Sequence, residues 1–303
     1  MRDARLALRR LVHRPLFTLV AVTTLMLGIG ATTAIFSVVH AVLLRALPYP
    51  KPDRLVVLWG WRGKEYGNLL VSIRDVMDWN ARSRTLADIG IVRLQSVNLS
   101  GIDAPDRVAG NFVTATTLTV LGAHAALGRL FTPGETTEGT GQPVAVLSHA
   151  AWKSRFGGDT AIIGRSLILN GRPHAVIGVM SPEFRDPFGA VEVWLPITSA
   201  PNPSWFQRND AEVWAIARLN AGSTLAAAQG DLSRIAAALG TAYPTTNAGL
   251  DAHVIPLREH LVGDTRPILW IMFAFVAIVL AVACANVANL QLSQAVARAP
   301  VLS

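Results

Sequence analysis

The chain has 303 residues, 51% of them hydrophobic and only 16% charged, with a formal net charge of +7. That length allows one large domain or two smaller ones. A soluble domain carries nearer a quarter charged residues, so an ordinary soluble composition is excluded and the missing charge has to be located.

It is missing from two runs. Residues 15–44 and 267–297 contain no Lys, Arg, Asp or Glu, and each is longer than the ~20 residues a helix needs to cross the hydrocarbon core. Both are predicted transmembrane helices. The first is about twice the length of a signal-peptide apolar core, and apolar residues continue past Ala31–Ala34 to Leu44, which favours a span over a cleaved leader.

The charge distribution gives the orientation. Arg2, Arg5, Arg9, Arg10 and Arg14 against Asp3 put +4 ahead of the first run, and Arg298 follows the second. Residues 45–266 hold 21 basic and 19 acidic residues, only +2. Basic residues flanking spans mark the cytoplasmic side. The expected topology therefore has a cytoplasmic N-terminus, residues 45–266 outside, and a return through the second span. No aromatic-studded basic stripe is present, so nucleic acid is not an expected partner.

In chain order, residues 1–14 predict a basic amphipathic helix. Arg2, Arg5 and Arg9 share one face and Ala4, Leu8, Leu11 and Val12 the other, a pattern that lies in the membrane interface with lipid as its partner. The span over 15–44 contains Gly28, Gly30 and Ala34. The last two have the small-xxx-small spacing that lets helices approach closely. As one helix the run would be about 45 Å long, so its surplus predicts a stalk beyond the membrane.

The outer segment reads as α+β in two lobes. Strands are predicted at Leu55–Trp61, Val144–Leu147, Val191–Ile197 and Val213–Leu219. Ser166–Val179 predicts a β-hairpin turning on Asn170-Gly171. Helices are predicted at Ile73–Asn80 behind Ser72, at His149–Phe156, and at Leu225–Ala242 behind Ser223 or Thr224. Thr132–Gln142 and Ser199–Asn209 read as loops. The only cysteine, Cys284, lies in the second span, so the outer domain holds together without disulfides.

Chemistry is notable by absence. There is no P-loop, G-x-S-x-G, H-E-x-x-H or C-x-x-C. His13, His40, His124, His149, His174, His253 and His260 are scattered singly, without metal-ligand spacing. No catalytic residue, cofactor or metal site is expected, and the chain is not read as an enzyme. Asn286 and Asn289 are the strongly polar side chains deep in a span. Three apart on one helical face, they should hydrogen-bond across a helix pair.

Several stretches together carry a family pattern: GNFVTATTLTVLGAHAALGRLFTPGE (110–135), VAVLSHAAWKSRFGGD (144–159), IIGRSLILNGRPHAVIGVMSPEF (162–184), VWLPI (193–197), YPTTNAG (243–249), VIPLREHLVGDTRP (254–267) and ACANVANL (283–290). From Leu11 to Ala297 the chain resembles MacB/FtsX-type ABC transporter permeases, especially the large duplicated ones. The resemblance implies an inner-membrane permease subunit with a large extracytoplasmic domain between its first two spans. It implies work as a dimer or pseudo-dimer beside a separate cytoplasmic ATPase, the only place where ATP would bind. Such proteins transmit motion for export, lipid or lipoprotein handling, or control of an outer enzyme. A usual member continues with a basic cytoplasmic stretch and two further spans. Here ARAPVLS follows, so residues 298–303 are expected as a short cytoplasmic tail and the last helix resembles the second span of a four-span unit. The alternative is a free-standing two-span protein presenting an outer binding or scaffold domain without an ATPase.

Overall fold

The structure, a computed structural model, describes residues 15–39, 46–101, 105–139, 142–199, 203–263 and 265–296. The basic helix with Arg2, Arg5, Arg9, Arg10 and Arg14, residues 40–44 at the end of the first predicted span and the tail at 298–303 lie outside the described residues. The chain divides into two compact units, one from the end segments (1–46 and 262–303) and one from Leu47–Leu261.

The end unit holds α1 (Pro15–Val39), at 25 residues, and a helix of 31 residues, Arg266–Val296, which pack on each other. The hydroxyls of α1 are satisfied along the helix. Thr32 donates to the Gly28 carbonyl at 2.7 Å, Thr33 to Ile29 at 2.8 Å and Ser37 to Thr33 at 2.8 Å. Such i−4 bonding removes the cost of a hydroxyl in an apolar setting. Gly28, Leu269 and Val276 are buried, while Leu19, Met26, Phe36, Trp270, Ile271 and Phe275 point outward. Counted over the described residues alone, no helix is long and apolar enough to cross a membrane.

In the larger unit the sequence first lays down β1 (Leu55–Trp61), α2 (Gly63–Tyr66), β2 (Asn68–Leu69) and α3 (Ile73–Arg82). Next come β3 (Leu86–Leu94), β4 (Val97–Ser100), β5 (Asp106–Val108), β6 (Gly110–Val113), α4 (Ala115–Val120) and β7 (Ala125–Gly128). The middle contributes β8 (Val144–Leu147), α5 (His149–Phe156), β9 (Ser166–Leu169), β10 (Arg172–Met180) and β11 (Val193–Pro196). The last part is β12 (Trp214–Leu219), α6 (Leu225–Ala242), α7 (Pro244–Asn247), β13 (Asp251–Pro256) and α8 (Leu257–Val262). The chain then continues into the long helix α9 (Arg266–Val296) of the end unit.

One sheet carries the strands of the described residues in the order β13-β1-β12-β3-β6-β11-β8-β10-β9-β4-β5, with β2 on β1 and β7 on β10. β6 pairs with β11, and β8 with β10, in parallel; the other named pairs are antiparallel. The two lobes expected from sequence are thus joined by a continuous sheet, because β6 and β11 hydrogen-bond across the middle. The predicted α+β class holds.

Local chemistry explains the elements. Ser72 caps α3 by accepting from Asp75 N, Ser148 caps α5 from Ala151 N, and Thr224 caps α6 from Ala227 N. The β9–β10 hairpin turns at Asn170 (φ 50°) and Gly171 (φ 75°), the left-handed pair that a two-residue turn demands. Residues 132–142 and 199–209, expected as loops, contain short 3-10 turns at Pro133–Thr136 and Pro203–Phe206.

The strand Leu55–Trp61 is almost entirely buried because the sheet is covered on both faces. On one face Val56, Leu58, Ala215 and Ala217 meet Ile73, Val76 and Trp79 of α3 and Leu232, Ile235 and Leu239 of α6. On the other, Leu55, Val57 and Ile216 meet Val120, Leu121 and Leu257. Gly90 of β3 lets α4 approach, since a Cβ there would lie 2.5 Å from Thr117 Cα.

Candidate functional site

Three side-chain clusters organise the larger unit. The first joins α3, the segment before β12, and α7. Asp75, 3% exposed, accepts from Arg208 Nη1 at 2.5 Å, Asn247 Nδ2 at 2.7 Å and the Ser72 hydroxyl at 2.7 Å. Arg208 Nη2 reaches Asp78 at 2.5 Å, and the guanidinium lies 3.9 Å over the ring of Tyr243. Burial pushes the Arg208 guanidinium down, and Asp78 and Asp75 more than offset it, so its value is raised. Arg208, Tyr243, Phe206 and Met77 line a cleft of about 610 Å³. A fully bonded charge of this kind holds its elements in one register and offers no free nucleophile or base.

The second centres on Arg93 of β3. It bonds Asp210 at 2.6 Å, pairs with Glu212, and sits 4.1 Å over the Trp205 ring, which in turn packs edge-on against Phe112. The third centres on Asp186. Its carboxylate accepts from Asn111 Nδ2, Trp194 Nε1 and Phe188 N, each at 2.9 Å. Burial pushes this carboxyl up, against those hydrogen bonds. The same burial, with Asp186 nearby, raises the Tyr49 phenol, whose hydroxyl donates to the Arg185 carbonyl at 2.9 Å.

A separate aromatic group lies where β1 and β12 face α8. Trp59 and Trp214 meet edge-on at 4.6 Å, and His260 lies 5.5 Å from Trp59 and 5.1 Å from Trp214. Phe188 closes the group 5.2 Å from Trp214. It seats α8, the last element before the chain runs on toward α9.

The residues singled out in the sequence are placed as follows. Gly28 is buried, whereas Gly30 and Ala34 are exposed, and a Cβ at Gly30 would meet nothing within 4 Å. Asn289 is exposed, and the side chain of Asn286 lies outside the described residues. Cys284 is exposed. Among the described residues no group of three or more His, Cys, Asp or Glu side chains converges as a metal site would. Sequence reasoning did not single out Asp75, Asp186, Asn111, Trp194 or Asn247. Three of these, Asn111, Trp194 and Asn247, fall inside the stretches GNF, VWLP and YPTTN that carried the resemblance. The two aspartates at their centres do not.

The described residues thus form an α+β domain on one sheet, with its elements held by clusters of charged side chains. The profile of the MacB-like periplasmic core domain matches residues 18–235, and the chain belongs to that family. Among solved structures it is similar to the periplasmic region of MacB from Actinobacillus actinomycetemcomitans. The identity is 15% and the TM-score 0.54, over 72% of this chain and 94% of that one. It is also similar to the extracellular domain of the noncanonic ABC-type transporter YknZ from Gram-positive bacteria. There the identity is 14% and the TM-score 0.50, over 66% of this chain and 99% of that one. At such identities the likeness establishes the fold. No curated protein matched the chain.

Proposed function

We propose that the chain is a membrane permease subunit of an ABC-type system, in which α1 and α9 cross the inner membrane and residues 45–266 stand outside. The observation that carries this reading is the family match over residues 18–235 combined with the charge-free runs at 15–44 and 267–297. The outward-facing Leu19, Met26, Trp270, Ile271 and Phe275 support lipid as the surrounding medium, since apolar side chains facing out are costly in water.

In this reading a separate cytoplasmic ATPase closes on ATP and moves the helices, and the outer domain passes the motion on. The chain itself binds no ATP and performs no catalysis. The exposed Gly30, Ala34 and Asn289 are available to a second permease copy or half, where small residues and amides supply close packing and hydrogen bonds. The arginines at 2, 5, 9, 10 and 14 hold the N-terminus at the cytoplasmic headgroups.

Purification of the tagged chain from source-cell membranes in mild detergent tests the coupling. The reading expects a P-loop ATPase to co-purify, with ATP hydrolysis in the complex. Recovery of the chain without an ATPase, also from any longer parent, would contradict it and favour a free-standing outer scaffold.

A further inference from the structure

The Asp186 cluster opens into a cleft of about 520 Å³, inside the size range of small-molecule sites. Its walls combine two chemistries. Trp194 and Phe184, edge-on with centroids 5.8 Å apart, and Met180 form an apolar, aromatic side. The Asp186 carboxylate lies against them. Its three hydrogen bonds all come from neutral donors, and a carboxylate has room for about four. Among the described residues Asp186 makes no ion pair. A charge enclosed without a counter-charge is costly, and neutral donors offset only part of that cost.

We propose that this cleft binds an organic ammonium group, with the charged head on Asp186 and the apolar body along Trp194 and Phe184. An ammonium supplies the missing counter-charge and the fourth hydrogen bond. Burial pushes the carboxyl up from its ordinary value, and an arriving cation acts against that push by favouring the charged form.

Arg185 and His149 also border the cleft, and so does the start of α5. They define the competing occupant, an anion. Two features weigh against it. Arg185 Nη1 is turned onto the Pro182 and Phe184 carbonyls at 2.7 and 2.9 Å, and the Ser148 hydroxyl already takes the Ala151 N–H at the helix start. The site is independent of ATPase coupling, so its test can fail while the permease reading stands.

The test uses the full chain in lipid nanodiscs and follows the Trp194 indole N–H resonance, assigned with Trp194→Phe. The probes are benzylamine, benzyl alcohol and benzoate, alike in shape and different in charge. Benzylamine should shift that resonance saturably, with the alcohol binding about tenfold or more weakly, the range expected for a charge-assisted bond. Asp186→Asn should weaken benzylamine to a similar degree. Ala190→Trp, an exposed wall position, should close the cleft and abolish the shift, which keeps the test decisive if the Asp186 variant does not fold. Equal binding of amine and alcohol, tightest binding of benzoate, or an unaltered response in Ala190→Trp would overturn the proposal.

Discussion

Asn247 Nδ2 donates a 2.7 Å hydrogen bond to Asp75 Oδ1, joining α7 to α3 across 172 positions of the chain. Both residues are buried, and Asp75 is at the same time the anchor of Arg208. The bond therefore ties the end of α6, through Tyr243 and α7, to the helix on the same face of the sheet. Asn247→Ala leaves a buried acceptor one donor short and should lower stability by about 1–3 kcal/mol. In a double-mutant cycle with Asp75→Asn the two changes should couple by about 0.5–3 kcal/mol. Denaturant unfolding reads both; strictly additive losses would contradict the contact.

Glu135 gives the acid side of the stability curve. Its carboxylate accepts from Arg129 Nη2 at 2.7 Å and Nη1 at 2.9 Å, and from Thr132 N at 2.8 Å in a capping box. The Arg129 bonds hold its pKa at about 2; burial opposes them and the Thr132 bonds assist. The folded value lies below the ordinary 4.5, so the stabilisation is complete above pH 4.5 and is lost as pH falls toward about 2. Arg129 is half exposed, which lowers the effect to roughly 1–2 kcal/mol. Glu135→Gln should cost that much at pH 6 and nothing near pH 2. A cost that stays constant across the window would rule out the linkage.

The hairpin turn carries a cross-strand duty besides its backbone geometry. Asn170 Oδ1 accepts from Asn98 N at 2.9 Å and its own N–H donates to Asn98 O at 2.8 Å, which ties the turn to β4. Gly171→Ala, at φ 75°, should cost about 1–2 kcal/mol by thermal unfolding. Asn170→Gly keeps the turn and the backbone bond to Asn98 but loses the side-chain bond, so it should cost about 1 kcal/mol. A neutral Gly171→Ala would contradict the turn geometry.

Gln229 of α6 closes the outer edge of β13. Its Nε2 donates to the Ala252 carbonyl at 2.6 Å and its Oε1 accepts from Val254 N at 2.9 Å. One amide thus occupies the donor and acceptor that a neighbouring strand would use, a guard against edge pairing. Gln229→Ala should lower stability by about 1–2 kcal/mol and raise concentration-dependent self-association. Sedimentation reads the second effect; an unchanged oligomer distribution would argue against the guard.

The elements legible in the sequence were those whose cause is local. His149–Phe156 and Leu225–Ala242 have caps and clear ends, Asn170-Gly171 specifies its own turn, and Leu55–Trp61 is a run of β formers. What escaped depends on distant partners. Gly110–Val113 is a four-residue strand whose place is fixed by pairing with β3 and β11. Ala115–Val120 is a short helix permitted by Gly90. The clusters around Asp75 and Asp186 also need partners 75 to 172 positions away, Asn111 for Asp186 and Arg208 and Asn247 for Asp75, and a lone Asp in SIRDV or EFRDP carries no local mark. The resemblance found Asn111, Trp194 and Asn247 as members of motifs but gave them no partners. Composition also could not reveal that one sheet runs through the whole outer unit, with β6 and β11 hydrogen-bonded at its middle.

The central claim is that residues 45–266 stand outside a membrane crossed by α1 and α9. The most direct measurement is thiol labelling in cells with an intact inner membrane, using a membrane-impermeant maleimide. The background carries Cys284→Ala, and a single cysteine replaces either Arg9 or Lys64, the latter an exposed position. The account expects Lys64→Cys to react in intact cells and Arg9→Cys to react only after the membrane is opened. Labelling of Arg9→Cys with Lys64→Cys protected, or equal labelling of both, would contradict it.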